Sequence, residues 1–395
     1  NYVGRAFADD PMFDHDGNEY LESDANGAGM SIYQLAQAGL KEQLEQGGFG
    51  LLVDYPKQAT GTSKLDREVN GVRATINLYH LDNIINWRVS KRGNAYLTSL
   101  VVLAETITET TDDFFVEREL EQWRVLMLDA DGYYLQQVWR KNEAGTLTIV
   151  DQYYPLNASG QQWTEILFQI CGSLSNRWKF GDIPLQPLAM VNIAHYHNSA
   201  DYEDSLYICG QVQPVINGLT ETWAEQLKKD GVFIGSRTPI MLPVGGSFDF
   251  AQAKPNMLAK EGMDDKLAMM LKLGARLVEQ GSAVKTATQS NQDAATQHSI
   301  LSLCAANLNE ALNNCLKWVA AFNGSGDKAV FEINQDFTES TIDVQLATLL
   351  QNAAASNKIS WATFWDYLKT GKVPEHGYGR ELALIENPNP DDVPE

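Results

Sequence analysis

The chain is predicted to be an α+β protein of several regions, and three observations predict it. The first half alternates short β-prone runs with Asp-Gly and Ala-Gly turns. Near residue 213 a small strand and helix unit interrupts two helical segments. From about Asp293 to Phe322 apolar residues then recur on one helical face. At 395 residues the chain exceeds what one hydrophobic core usually supports, so more than one structural region is expected.

Taken in order, Ser31–Leu44 reads as a helix with apolar residues at 32, 35, 36, 40 and 44, Ser31 as its cap and Gly47-Gly48 as its stop. It feeds a buried strand, Phe49–Val53. Tyr96–Ala104, Gln122–Leu128, Tyr133–Arg140 and Thr146–Val150 read as strands, with Asp129–Gly132 and Asn142–Gly145 as turns, which predicts an antiparallel meander.

A helix is expected from Asn198 or Ser199, where a cap residue precedes Asp201, Glu203 and Asp204 in the first turns, to near Gly210. Gln213–Gly218 then reads as a strand and turn, Thr220–Gly231 as a helix with a glycine stop, and Val232–Leu242 as a second strand region, together a small βαβ insert. The chain returns to a helix in which Met263, Leu267, Met270, Leu271, Gly274, Leu277 and Val278 form a stripe, while Lys266, Lys272 and Arg276 lie off it. Gln280–Ser290 is small and polar. The long helix that follows places Ile300, Leu301, Cys304, Leu308, Leu312, Cys315, Leu316, Val319 and Phe322 on one side, and Gly324-Ser-Gly326 stops it. Ala329–Ile333 reads as a short strand, with helices over Ile342–Leu350 and, capped by Ser360, Trp361–Leu368. The acidic, proline-rich stretch Asn387–Glu395 is expected to be unstructured.

Six phrases carry a family resemblance: Gly48-Phe-Gly-Leu-Leu-Val-Asp-Tyr-Pro56, Ile85-Asn-Trp-Arg88, His195-Tyr-His-Asn-Ser-Ala-Asp-Tyr202, Ile234-Gly-Ser-Arg-Thr238, Leu273-Gly-Ala-Arg-Leu277 and Lys285-Thr-Ala-Thr288. None is a ligand set or a nucleophile motif, so their specificity lies in their order and in the insert between two helices. On these residues the chain resembles the portal proteins of tailed bacteriophages, in a portal-like family long described as a domain of unknown function. The resemblance spans nearly the whole chain. It implies a portal fold with an α/β wing over 1–198, a first stem helix over 199–212 and a small αβ clip over 213–250. A second stem helix over 251–279, a tunnel loop over 280–290, a spine helix over 291–323, and crown-side helices with the acidic tail over 324–395 complete it. It also implies an amino-terminal part of the wing beyond Asn1.

By that resemblance the protein is a non-enzymatic head-tail connector, a ring of roughly twelve identical subunits at the portal vertex of the capsid. The clip would dock the terminase large subunit and later head-completion or adaptor proteins, the ring would sit in the major capsid protein shell, and double-stranded DNA would pass through without sequence specificity. Assembly would occur in the host cytoplasm, with the virion as final location, and no cofactor is expected. In the tunnel loop and the end of the second stem helix, Gln280, Lys285, Thr286, Thr288, Gln289, Lys272 and Arg276 are the candidates for facing DNA, Lys285 foremost. In the clip, Trp223, Lys228, Lys229 and Arg237 are the docking candidates, since Trp and Arg dominate interface energetics. The competing reading of Trp223 is packing inside the clip. That of the basic series Lys254, Lys260, Lys266, Lys272, Arg276 and Lys285 is a solvated face or intersubunit ion pairs.

Composition bounds the function independently. Lys and Arg total 30 against 51 Asp and Glu, a net charge of −21. That is the opposite of the basic footprint of a protein that grips duplex phosphate, and it suits a channel along which DNA must slide with few ion pairs to break. No run approaches the apolar length needed to span a bilayer. Cys171, Cys209, Cys304 and Cys315 have no metal-like spacing and read as reduced core residues.

Several motifs tempt. Asp129–Gly132 and Asp14–Asn18 look like calcium loops but lack the EF-hand's spacing and final glutamate, so turns are favoured. Gly27-Ala-Gly29 suggests a phosphate cradle but lacks the preceding strand and the Lys-Ser/Thr ending. His195 and His197 would share a metal if they lay on a strand, the basis of an alternative reading as a metal-dependent hydrolase. Another ring-forming head-tail adaptor is the nearer alternative.

Overall fold

The structure is a computed structural model describing residues 2–57, 72–110, 115–179, 181, 183–231, 240–254, 257–278, 299–335, 344–370, 373–374 and 377–386. The chain divides into two units, 1–335 and 336–395.

In the first unit a short helix α1 (Tyr2–Ala6) and strand β1 (Met12–Asp14) lead into α2 (Ile32–Gln46) and β2 (Gly48–Asp54). The α2 boundaries follow from local chemistry. The Ser31 side chain accepts from the Gln34 N–H, the Gln34 side chain returns the bond to the Ser31 N–H, and Gly47 closes the helix in the left-handed region at φ 83°. β2 lies between β3 (Thr75–His80) and β9 (Phe168–Gly172) in an antiparallel three-stranded sheet, order β3-β2-β9.

β2 is buried on both faces, which explains its unbroken apolar run. Phe49, Leu51 and Val53 alternate toward α2, where Gly39 leaves room for the Phe49 ring; a Cβ at Gly39 would lie 2.6 Å from it. Gly50, Leu52 and Asp54 face the other way, toward Phe168 and the meander. The meander itself is β4 (Ile84–Arg92), β5 (Ala95–Thr110), β6 (Glu117–Leu128), β7 (Tyr134–Lys141) and β8 (Leu147–Tyr153), antiparallel in that order.

α3 (Gln186–Gly210) and α5 (Met257–Val278) enclose β10 (Gln213–Asn217), α4 (Glu221–Asp230) and β11 (Ser247–Ala251). The long helix α6 (Ile300–Asn323) then returns to the three-stranded sheet beside α2. Ser299 caps it by accepting from the Ser302 N–H, and Gly324 ends it at φ 68°. Leu301, Cys304, Leu308, Leu312, Cys315, Leu316, Val319 and Phe322 are all buried. Asn309 and Asn313, one turn apart, each clasp the backbone of a residue in or just after β12 (Val330–Glu332). Asn309 accepts from Ile333 N and donates to Ile333 O, and Asn313 does the same to Phe331. β12 pairs on its other side with β1.

The second unit holds α7 (Val344–Ala355), α8 (Trp361–Thr370) and α9 (Tyr378–Glu386) around Leu350, Ala354, Phe364 and Tyr367. Ser360 caps α8 through the Thr363 N–H, and Glu381 of α9 accepts from both Ser360 N and the Thr363 hydroxyl.

Several expectations are corrected. The helix expected from Asn198 begins at Gln186 as α3, because Pro187 in its first turn is preset for a helix start, and Asn198 packs against Gly262 of α5 instead of capping. The insert's strands pair antiparallel, and the described second strand is Ser247–Ala251. Residues 240–242 are not strand, and 232–239 of the expected second strand lie outside the described residues. Residues 324–335 belong to the first unit, because β12 completes a sheet with β1. Ile300 of the expected α6 stripe is 38% exposed at the helix start, and Leu267 and Leu271 of the expected α5 stripe are exposed. Strands β3, β4 and β9 and helix α9 were not read from the sequence.

Candidate functional site

No described region presents a catalytic constellation, so the candidate site is the helix pair α3 and α5 with its insert. At about 1.5 Å per residue these helices span roughly 37 and 33 Å. They run antiparallel, since Asn198, midway along α3, meets Gly262 in the second turn of α5, and Cys209 meets Lys254 near the insert. The junction is pinned twice, by the Cys209 thiol donating to Lys254 O at 3.3 Å and by Gln252 Nε2 donating to Cys209 O at 3.0 Å. Beyond it β10 and β11 form a two-stranded ribbon, Gln213 opposite Ala251 through Asn217 opposite Ser247.

α4 has Glu221 in its first turn and Lys228 and Lys229 in its last, charges placed to suit the helix dipole. Trp223 is half-buried and both lysines are exposed; Arg237 lies outside the described residues.

The helix pair buries little of its own apolar surface. On α3 only Cys209 is buried, while Tyr196, Tyr207 and Ile208 are 65–72% exposed. On α5 Leu258 and Leu271 are 77% and 68% exposed. Among the described residues nothing covers these apolar side chains, which are spread along the two helices.

Of the DNA-facing candidates, Lys272 is exposed on α5, and Arg276 lies on the same helix with its side chain outside the described residues. Gln280, Lys285, Thr286, Thr288 and Gln289 fall wholly outside them. Lys254 and Lys260 are exposed, and Lys266 Nζ donates to Gly262 O at 3.4 Å within α5.

The metal pair is overturned. His195 and His197 lie on α3, where two residues apart means about 200° apart around the axis, so their imidazoles cannot converge on one ion. Asp129–Gly132 is a hairpin turn in which Asp129 Oδ1 accepts from the Asp131 and Tyr133 N–H groups. Asp14–Asn18 is a structural clasp. Asp16 Oδ2 accepts from Lys328 N, and the Asn18 amide bonds Ser325 and Asn323 beyond the end of α6. At Gly27–Gly29, Asp24 accepts from Gly29 N and Asn26 accepts from Ala28 N and Met30 N, a closed turn whose N–H groups are spent internally. Among the described residues no group of three or more His, Cys, Asp or Glu could hold a metal ion.

The strongest titratable cluster was not read from the sequence. Between the two sheets Arg124 of β6 pairs with Glu105 of β5 at 2.6 Å and Asp54 of β2 at 3.1 Å, and Gln122, Gln136, Tyr79 and Tyr153 complete the network. Burial alone would raise the Glu105 carboxyl, but the Arg124 charge and the bonds from Arg124, Tyr79 and Gln122 hold it below its ordinary value. Burial and then the Glu105 charge push the Tyr79 phenol well up. Every ionic group here is committed to a partner, so the cluster joins two sheets and leaves no uncommitted base. Its only sequence trace is charge inside apolar strand patterns, at Asp54 after Leu51–Val53 and Arg124 before Val125–Leu128.

The four cysteines are free and buried. Burial raises the thiols of Cys171, Cys304 and Cys315, Cys304 to about 12, so none is poised as a thiolate.

A family model described as a domain of unknown function (DUF4055) matches residues 184–323, which is the run from α3 through α6. No curated protein matches the chain. Among solved structures, one described as the virion of a native gene transfer agent particle is 13% identical, with 98% of this chain and 87% of that chain covered at a TM-score of 0.43. Another, the neck of a native gene transfer agent particle computed with C12 symmetry, is 13% identical with 98% and 89% covered at a TM-score of 0.40. Likenesses this distant assign no function.

Proposed function

We propose that the chain is a portal subunit of a tailed bacteriophage or a related particle, assembling as a ring at one capsid vertex through which double-stranded DNA passes. The observation that carries the reading is the order α3, insert, α5, α6, with apolar side chains on the helix pair that the described residues leave exposed. Four of the six phrases of the sequence resemblance, at 195–202, 234–238, 273–277 and 285–288, fall within the stretch from α3 to α6. In a ring the exposed faces of α3 and α5 would be buried by neighbouring copies, so fold and oligomer would depend on each other.

In this reading the insert is the clip, and Trp223, Lys228, Lys229 and Arg237 dock the terminase large subunit during packaging and head-completion proteins afterwards. Lys272, Arg276 and the segment with Gln280, Lys285, Thr286, Thr288 and Gln289 face the channel. The acidic net charge keeps DNA from sticking to the wall. The protein's role is mechanical, and nucleotide hydrolysis belongs to the motor. The major capsid protein surrounds the ring.

The test is imaging of the purified chain by negative-stain electron microscopy, with Lys285→Glu carried alongside into a packaging assay. Axial rings with a central hole, and Lys285→Glu rings that package DNA less efficiently, are expected. A sample containing only monomers or dimers at high concentration overturns the reading.

A further inference from the structure

The meander carries two unlike surfaces at opposite ends of β5. At one end, β5 and β6 outrun their neighbours. β4 pairs with β5 only as far as Leu103, and β7 pairs with β6 only from Gln122. Among the described residues, Thr106–Thr110 and Glu117–Glu121 therefore have only each other as strand partners. A two-stranded ribbon of this kind is marginal in water by itself. Its register puts Thr106, Thr108, Glu117, Glu119 and Glu121 on one face. All three glutamates are exposed, and among the described residues Glu117 and Glu119 have no ion pair, whereas Glu121 reaches Lys141 at 3.3 Å. Val116, next to them, is 51% exposed.

At the other end lies an aromatic groove with basic borders. Trp87, Val89 and Lys91 of β4 share a face with Tyr96 and Thr98 of β5. Trp178 closes it, stacked on Trp87 at 5.4 Å and on Phe168 at 5.9 Å, with its Nε1 donating to Thr98 Oγ1 at 2.8 Å. The groove has a volume of about 640 Å³, and the exposed side chains of Arg177 and Lys179 line it. Residues 84–98 contain Arg88, Lys91 and Arg92 and residues 173–181 contain Arg177 and Lys179, with no Asp or Glu in either run. On the groove side the cations are Lys91, Arg177 and Lys179, since Arg88 and Arg92 alternate to the other face of β4. The carboxylate of Glu310 is bonded to the lining residue Asn176 at 2.8 Å; in a chain of net charge −21 this is a locally basic border.

Acidic arm and basic groove complement each other, yet Thr98 and Thr110 are about 40 Å apart along an extended strand, so one copy's arm points away from its own groove. We propose that the acidic β5–β6 arm of one copy docks in the basic aromatic groove of the next, with Glu117 and Glu119 against Arg177 and Lys179 and Val116 against the aromatic floor. The surfaces differ, so the contact is heterologous, and repetition closes a ring or extends a filament according to the rotation between copies. The inference rests on the ring reading above for closure and names the contact that propagates it.

The experiment uses three full-length samples at physiological salt: E117K/E119K, R177E/K179E, and an equimolar mixture of the two. Oligomerisation is followed by analytical ultracentrifugation. Each variant alone is expected to need at least tenfold more protein to assemble than wild type, because like charges then face each other. The mixture is expected to assemble like wild type, since every contact in an alternating ring is again complementary, a recovery that misfolded chains cannot give. Variants that assemble as readily as wild-type rings overturn the proposal, give the groove to some other partner and leave the ring reading standing. Loss without recovery in the mixture also overturns it. A wild type that never assembles defeats the ring reading itself.

Discussion

Two parts of the first unit treat apolar side chains in opposite ways. Around the three-stranded sheet, α2, β2 and α6 bury nearly every large apolar residue they carry, and Asn309 and Asn313 enter with their amides matched in reciprocal clasps. The pair α3 and α5 is long and regular but leaves Tyr196, Tyr207, Ile208, Leu258 and Leu271 exposed. The first part is stabilised within one chain. The second leaves those side chains in water among the described residues, and in the ring reading a neighbouring copy buries them.

Mutations can break that contrast. The largest effect is expected in the core: Leu312→Ala removes a fully buried side chain and should cost about 3 kcal/mol, read as a lower midpoint in urea unfolding. Arg124→Leu should cost a similar amount, about 3 kcal/mol at neutral pH, because it strands Asp54 and Glu105 between two sheets.

The pH dependence sharpens that prediction. In the wild type Glu105 titrates below its ordinary value, so the stability it confers is present above the unfolded carboxylate value and is lost as pH falls through the folded one. Without Arg124, burial would raise Glu105 instead, and protonation would relieve it. The gap between variant and wild type should therefore narrow as unfolding is measured from pH 7 down to about pH 4. A gap that stays constant would mean the network's charges are not what the variant lost.

Asn309→Ala leaves a backbone N–H and C=O of Ile333 without their partner and should cost about 2 kcal/mol by thermal melting. The smallest effect on the single chain is expected at the helix pair. Leu271→Glu should change unfolding by less than about 0.5 kcal/mol, since Leu271 is already in water, and yet abolish ring assembly measured by size-exclusion chromatography. Equal losses of stability at Leu271 and Leu312 would erase the contrast.

What could be read from the sequence follows the same division. The α2 cap at Ser31, the strand at Phe49–Val53, the hairpin turns and the buried face of α6 were legible because short-range signals and burial agree there. The start of α3 was not, since a helix whose apolar residues face outward shows no stripe, and an Asn-Ser pair in mid-helix imitates a cap. β9 and β3 were missed because partners about 120 and 30 residues from β2 in sequence fix them. In the candidate site, the insert's first strand and its helix were legible. The Arg124 network and the groove were not, because each depends on partners far away in sequence, Asp54 with Arg124 and Trp178 with Trp87 and Thr98. The arm was not, because its pairing over 106–121 depends on strand lengths that no short-range signal marks.

The most direct test of the central claim is native mass spectrometry of the purified chain across a concentration series. A closed assembly of roughly twelve copies, with no stable intermediate of two, is the predicted result for a ring built on one repeated heterologous contact. A mass that remains that of the monomer or an isologous dimer at every concentration would contradict it.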